Sequence, residues 1–295
     1  GGTYRRIPDV LDVWHDSGSV PFAKLHYPFE NKDIFDVKMP AEYIAEGTDQ
    51  VRLWFYTMHI LGVALFDQIP YKNVVTNGMM LSEKGEKLSK SKKNFPPMDD
   101  VLNKYGADIL RMFILSSPMV QGESARFSED ILNDTKKEFF LPLWNSLRYF
   151  ITYANLHEFN PTLEKPEVYN ILDKWIMARL NETIINVTMH MDEYHFMNAT
   201  RQLVPLIQDL STWYIRRSRD RIKNGDVEAL DTLYYVLIQI SRLITPMTPF
   251  MAEKIYEVLG VGELTELKPV HLDRYPEVTE LTSAETDLIE KVAQD

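Results

Sequence analysis

Residues 83–94 read Glu83-Lys84-Gly85-Glu86-Lys87-Leu88-Ser89-Lys90-Ser91-Lys92-Lys93-Asn94, with five lysines inside ten positions. So many ammonium groups resist burial, and the stretch is expected to form an exposed, mobile loop able to close over a polyphosphate. A second basic cluster gathers Arg216, Arg217, Arg219, Arg221 and Lys223 around Asp220. On a helix, spacings of three and four put Arg216, Arg219 and Lys223 on one stripe and Arg217 with Arg221 on the next. That face suits a phosphate backbone, with Trp213, Tyr214 and Ile222 anchoring the helix. Pairing of each Arg with an acid such as Asp209 or Asp220 is the competing expectation. The chain has no cysteine, which excludes disulfides, thiolate nucleophiles, iron–sulfur clusters and cysteine-ligated zinc. No residue is assigned as a metal ligand.

The elements that must position these clusters come in two styles. Val10-Leu11-Asp12-Val13-Trp14 and Glu42-Tyr43-Ile44-Ala45 are bounded by Ser17-Gly18 and Glu46-Gly47, so each reads as a strand entering a turn. Apolar density over 49–66 predicts a largely buried helix capped by Thr48 or Asp49. A β-branched strand over 72–81 then leads into the lysine loop. Strand, helix, strand is a parallel α/β unit, whose ligands bind at the carboxyl ends of the strands, where Gly18, Gly47 and Gly78 fall. Pro96-Pro97 closes this region. A short helix capped by Asp99 or Asp100 runs to Tyr105, Gly106 breaks it, and 107–115 forms another. Long amphipathic helices are predicted over 128–157, 170–191, 195–224 and 227–260, an up-and-down bundle with Trp144, Tyr149, Phe150 and Tyr153 in its core. The fold class is thus α/β followed by all-α, divided as 1–95, 96–127 and 128–295.

The composition, 45% hydrophobic and 25% charged, is that of an ordinary globular protein. No apolar run approaches the roughly 18 residues that a membrane helix needs, so a soluble, cytoplasmic chain without a targeting segment is expected. A net charge of −11 argues weakly against nucleic-acid binding by the chain as a whole. Residues 72–94 and 216–223, however, each carry +4, which leaves −19 for the remainder. Two islands of positive potential on an acidic body fit two contacts with something anionic, or two solvated faces.

At the lysine loop the sequence resembles a known family. Lys87-Leu88-Ser89-Lys90-Ser91 is similar to the KMSKS motif of class I aminoacyl-tRNA synthetases, with Leu88 in place of Met. Asp12-Val13-Trp14-His15-Asp16-Ser17-Gly18-Ser19, Glu46-Gly47-Thr48-Asp49-Gln50-Val51-Arg52-Leu53-Trp54-Phe55 and Val75-Thr76-Asn77-Gly78 occur in the order and spacing of the isoleucyl branch. Tyr105-Gly106-Ala107-Asp108-Ile109-Leu110-Arg111 resembles the next signature. Asp173-Lys174-Trp175-Ile176, the stretch from Trp213 to Arg221, and Thr245-Pro246-Met247-Thr248-Pro249-Phe250-Met251-Ala252-Glu253 resemble the anticodon-binding domain. The likeness runs over about 9–260. Valyl enzymes share the architecture but typically lack the Asp-Ser-Gly after the tryptophan.

The resemblance implies the second half of a Rossmann-type nucleotide-binding domain, then a helical anticodon-binding bundle. It implies that isoleucine is activated with ATP, as its Mg2+ complex, and transferred to tRNA(Ile). Trp14 and Trp54 would wall the amino-acid pocket. Glu46, Gly47, Asp49 and Gln50 would hold the adenylate, with Asn77 and Gly78 beside adenine and ribose. Lys87 and Lys90 would bind the departing pyrophosphate, and Arg216, Arg219 and Lys223 the tRNA. The family's HIGH signature needs two histidines three residues apart, and the seven here, at 15, 26, 59, 157, 190, 195 and 271, include no such pair. His59-Ile60-Leu61-Gly62 imitates its first half, and His59 is read as a core or helix-face residue. The HIGH half and the editing domain are therefore expected in an amino-terminal partner segment, without which the chain would be inactive. His15 stands where the family usually has Phe, and Leu53 where it has Gly, which leaves isoleucine against valine open. A non-catalytic tRNA-binding module is the alternative, disfavoured by the presence of Lys87, Lys90, Asp49 and Gln50 together.

Overall fold

Two segments rich in β-branched and aromatic residues, Ala41–Gly47 (β1) and Tyr71–Asn77 (β2), pair in parallel from Ala41↔Tyr71 to Gly47↔Asn77. This computed structural model describes residues 2–9, 12–88, 94–265 and 269–293. It divides into two compact units, Gly1–Met80 with Pro118–Ala125, and Leu81–Ser117 with Arg126–Asp295. Among the described residues no helix is long and apolar enough to cross a membrane.

The first unit contains the parallel pair. Its amino-terminal motif is a helix, Val13–Gly18 (α1), where a strand was expected; Val10 and Leu11 lie outside the described residues. The Asp12 carboxylate accepts the Trp14 N–H at 2.7 Å, and this local cap outweighs the β-preference of the apolar run. The crossover from β1 to β2 is Trp54–Phe66 (α2), which buries Phe55 and Met58 against Ile44. Helix does not begin at residue 49: a 3-10 turn, Thr48–Arg52, comes first, and Leu53 at φ −124°, ψ −102° separates the two. Gln50 Oε1, rather than Thr48 or Asp49, accepts the first N–H of α2 at 3.2 Å.

The second unit is helical. Met98–Tyr105 (α3) starts after Pro97 with no side-chain cap, and Asp99 and Asp100 lie in its first turn, where negative charge complements the helix dipole. Gly106, at φ +82°, turns the chain into Ala107–Ser116 (α4). Glu129–Thr135 (α5) runs through a π-helical turn, Lys136–Phe140, into Leu141–Leu156 (α6). Ile171–Asp192 (α7) is capped by Asn170. The single helix expected over 195–224 is instead broken into Phe196–Arg201 (α8), Leu203–Gln208 (α9), a π-helical turn at Asp209–Tyr214, and short turns split at Ser218. Pro205 has no N–H to continue a helical ladder there. The helix expected over 227–260 is also two, Val227–Leu243 (α10) and Pro249–Val258 (α11), because Pro246 and a non-helical Thr248, at φ −129°, ψ 70°, interrupt it. A helix not anticipated from the sequence, Ser283–Ala293 (α12), is tied to α7 by the Asn181 amide donating to Glu285 at 2.6 Å. The core of this unit is fully packed around residues such as Phe139, Leu143, Ile176, Leu206 and Leu237.

Candidate functional site

Because β1 and β2 run parallel, their carboxyl ends meet, and the register sets Glu46 beside Thr76 and Gly47 beside Asn77. Gly78 follows directly, and the 3-10 turn adds Asp49 and Gln50 to the same edge. Gln50 is the pivot: its amide donates to Asp49 Oδ2 at 3.1 Å while its carbonyl caps α2. A Cβ on Gly47 would lie 2.6 Å from Asp49 Oδ1. Gly78 is more constrained, since its N–H donates to the Met119 carbonyl at 2.7 Å and a Cβ would stand 1.7 Å from the Glu123 carbonyl oxygen. The segment 118–125 thus returns to lie against the end of β2, and Gly122 at φ +81° keeps clear of the Thr76 hydroxyl. The edge offers the exposed carboxylates of Glu46 and Asp49 and the amides of Gln50 and Asn77, acceptors and donors suited to hydroxyl-rich ligands.

The two tryptophans flank this edge differently. Trp54 is half-buried against Ile44, Phe55 and Met58, and its indole N–H donates to the Ser17 carbonyl of α1 at 2.9 Å. Trp14, on α1, is 37% exposed. His59 is exposed on α2, its ring 6.4 Å from that of Tyr71, in agreement with a helix-face residue.

In the second unit, residues 82–87 form a hydrogen-bonded turn. Ser82 N–H donates to the Glu86 carbonyl and Gly85 N–H to the Ser82 carbonyl, both at 2.8 Å, and Leu81 pairs antiparallel with Lys87. Gly85 at φ +80° makes the reversal possible. Lys87 is exposed, and its carbonyl accepts from the Asn94 amide at 3.1 Å. Lys90, with Ser89 and Ser91, lies outside the described residues.

The second basic cluster separates into two roles. Arg216, Arg219 and Lys223 are exposed and form no ion pair among the described residues. Arg217 stacks over Trp213, 3.7 Å from the ring centroid. Arg221 turns inward: it grips the fully buried Asp173 with two bonds of 2.7 and 3.0 Å and donates to Asp226 at 2.9 Å. Tyr214 donates its hydroxyl to the same Asp173 at 2.8 Å. Burial pushes the Asp173 carboxyl up from its ordinary value while the bonds from Arg221 and Tyr214 pull it back, and the bonds from Arg221 hold Asp226 below the usual carboxylate range. Arg217 and Arg221 therefore do not form a second exposed stripe, and Arg221 pairs with Asp226 and the sequence-distant Asp173 rather than with Asp209 or Asp220. Asp209 is taken by Arg179 at 2.8 Å.

A similar brace joins two other motifs. Asp108 accepts the Met251 N–H at 2.7 Å and the Phe250 N–H at 3.4 Å, capping α11 from outside, and Arg111 donates to the carbonyls of Pro246 and Met247 at 2.7 and 3.0 Å. Burial raises the Asp108 carboxyl from its ordinary value, opposed by those backbone bonds.

Residues 1–126 match the family of class I tRNA synthetases (I, L, M and V), and residues 173–295 match the anticodon-binding domain of tRNA ligases. The isoleucine–tRNA ligase of Protochlamydia amoebophila is 41% identical over 97% of this chain and 28% of its own length. That of Thermus thermophilus is 43% identical over 94% and 27%, respectively. The chain belongs to the class I tRNA synthetases. It spans about a quarter of the length of the curated relatives it matches, 26–28%. Two solved synthetases share the fold: the LeuRS–tRNA–LeuAMS complex of Agrobacterium radiobacter K84, with TM-score 0.74 at 19% identity over 96% of this chain and 34% of that one, and Mycobacterium tuberculosis methionyl-tRNA synthetase with methionyl-adenylate, with TM-score 0.69 at 21% identity over 84% and 50%. In this synthetase segment, sequence reasoning missed Ser17, Thr76 and Glu123 as neighbours of the site residues, and the positive-φ Gly122 was the one signal that the 118–125 segment returns.

Proposed function

We propose that the chain is the part of an isoleucine–tRNA ligase comprising the carboxyl-side half of a Rossmann-type catalytic domain (1–95), a connecting segment (96–127) and the anticodon-binding bundle (128–295). The observation that carries this is the 41–43% identity, over 92–97% of the chain, to proteins named isoleucine–tRNA ligase. In the intact enzyme the isoleucine carboxylate attacks the α-phosphorus of ATP, pyrophosphate departs with its Mg2+, and a hydroxyl of the terminal tRNA ribose then attacks the acyl carbon of the adenylate, breaking its bond to the phosphate oxygen and releasing AMP. No covalent bond to the protein is needed, so catalysis rests on positioning and charge neutralisation. Glu46 and Asp49 accept from ribose hydroxyls, Gly47 and Gly78 allow close backbone approach, Gln50 and Asn77 complete the adenylate edge, and Trp14 with Trp54 walls the side-chain pocket. Lys87 and Lys90, at the KMSKS-like loop, neutralise the departing pyrophosphate. Arg216, Arg219 and Lys223, exposed and in no ion pair among the described residues, meet tRNA phosphates.

A two-stranded sheet is small for a nucleotide-binding domain, and Tyr43 and Val74, on its two strands, are 51% and 44% exposed. This supports completion of the sheet by an amino-terminal half of the catalytic domain. The test is ATP–pyrophosphate exchange by the longer enzyme that contains this segment, with isoleucine and valine compared. Isoleucine-dependent exchange is expected; exchange supported by valine alone, or by neither amino acid, overturns the reading.

A further inference from the structure

The carboxyl end of α7 and the turn after it carry potential ligands that the proposed function leaves unused. His195 N–H donates back to the His190 carbonyl at 2.8 Å, Tyr194 N–H donates to the Met191 carbonyl at 3.1 Å, and Tyr194 sits at φ +59°. This bond pair is a Schellman closure, which folds the last residue of the turn onto the first, a place commonly filled by an apolar contact. Here it brings two imidazoles together, with ring centroids 6.2 Å apart and planes tilted by 59°. Glu193, the C-cap between them, places Oε2 3.2 Å from His195 Nδ1. One ligand atom from each of His190, Glu193 and His195 lies within 4.8 Å of the other two. Separately, His190 Nδ1 is buried with no hydrogen-bond partner, an orphaned polar atom of a kind that folded proteins rarely leave unsatisfied.

We infer that His190, Glu193 and His195 form a binding site for a divalent transition ion of the zinc class. Two imidazole nitrogens and one carboxylate oxygen are the donor set of such borderline ions, whereas Mg2+ and Ca2+ take oxygen ligands. Bonds of about 2.0–2.2 Å require ligand atoms roughly 3.3 Å apart, so the side chains must draw inward. Glu193 and His195 have that freedom, their side chains being 59% and 53% exposed. Water completes the shell. The ion pins the turn between α7 and α8, and α8 is itself tied to α4 by Arg201 donating to the Ser116 carbonyl at 2.9 Å.

The test is calorimetric titration of Zn2+ alone into the purified chain near neutral pH, beside the surface variants Glu193→Gln and His195→Ala. One saturable site is expected, with each variant binding at least ~10-fold more weakly, since loss of even an outer-shell partner costs 10–100-fold. In NMR spectra the imidazole signals of His190 and His195 should shift while those of His59 and His271 stay in place. Excess Mg2+ should not compete. Zn2+ binding that is equally tight in both variants, or absent in the parent chain, overturns the assignment.

Discussion

At the scale of single residues, the role proposed for Lys87 and Lys90 is to meet charge that develops late. A lysine is a compact point charge on a flexible stem, suited to following pyrophosphate as it leaves. In the intact enzyme, Lys90→Ala should slow adenylate formation by roughly 10²–10³, comparable to the loss of one preorganised electrostatic donor, with little change in the isoleucine KM. Pre-steady-state kinetics checks this; weakened isoleucine binding with an intact chemical step would remove the loop from pyrophosphate. Gly78 makes a steric prediction. A Cβ there meets a backbone carbonyl rather than a side chain that can swing aside. Gly78→Ala should therefore destabilise the first unit by about 1–3 kcal/mol, the usual cost of overpacking, and displace 118–125. Denaturant melts within about 0.5 kcal/mol of the parent, the scatter of surface substitutions, would contradict the close approach.

The two strands were readable from local composition, although β2 ends at Asn77 rather than running on to residue 81. Gln50 as the cap of α2 and Glu123 as the wall behind Gly78 were not readable. The first depends on a break at Leu53, and the second on a chain return of some forty residues. His190 and His195 were likewise not readable as a pair, because five positions apart is not a same-face spacing on a helix. They meet through a left-handed turn at a tyrosine, a residue that seldom adopts one.

At the scale of elements, several of the motifs in the bundle act as cross-braces between helices. Asp173 at the start of α7 holds Arg221 and Tyr214, and Asp108 on α4 caps α11. A sequence shows that an Arg stripe exists but not which member turns inward; that depends on whether a distant carboxylate is buried within reach. The helix breaks were partly legible in Pro205 and Pro246, yet the long apolar periodicity masked them. Removing one partner of a buried pair strands the other charge, so Arg221→Met should destabilise the bundle by roughly 3–5 kcal/mol near neutral pH. The pH sign follows from the remaining acids. Asp173 has a folded pKa raised by burial, so its contribution is fully present below its unfolded pKa and is lost as pH rises through the folded one. Asp226 is lowered chiefly by its bond from Arg221, so its contribution is present above its unfolded pKa and is lost as pH falls through the folded one. The variant removes the cause of the second and the counter-charge of the first. Its deficit against the parent should therefore shrink on acidification toward pH ~4, near the ordinary Asp pKa. Urea melts across that range would sink the brace if the deficit stayed constant or grew in acid.

The exposed face of the same cluster makes a different prediction. Replacing Arg216, Arg219 and Lys223 together with Gln should weaken tRNA binding and flatten the slope of log affinity against log salt by about 1 for each phosphate left without its cation. Unchanged slope would return the stripe to ordinary solvated charge.

At the scale of the whole molecule, the two units are unequally built. The second has an extensive buried core, and in α10 the residues Leu233, Val236, Leu237 and Ile240 are completely enclosed. The first has a two-stranded sheet and a small cluster of Ile44, Phe55 and Met58, while Phe29, Val37 and Val13 are 80%, 84% and 69% exposed. Hydrophobic stabilisation scales with apolar area removed from water, at about 25 cal/mol per Å2, so a unit that leaves its large side chains in solvent has little to set against chain entropy. A parallel strand–helix–strand unit was legible as such from the alternation of strand and helix, but its thinness was not, since burial depends on contacts distant in sequence. Native-state hydrogen exchange should accordingly find amides of β1, β2 and α2 opening at free energies several kcal/mol below those of α10. Protection in β1 equal to that in α10 would mean that the first unit is stable by itself, and would remove the physical reason for assigning it a partner segment.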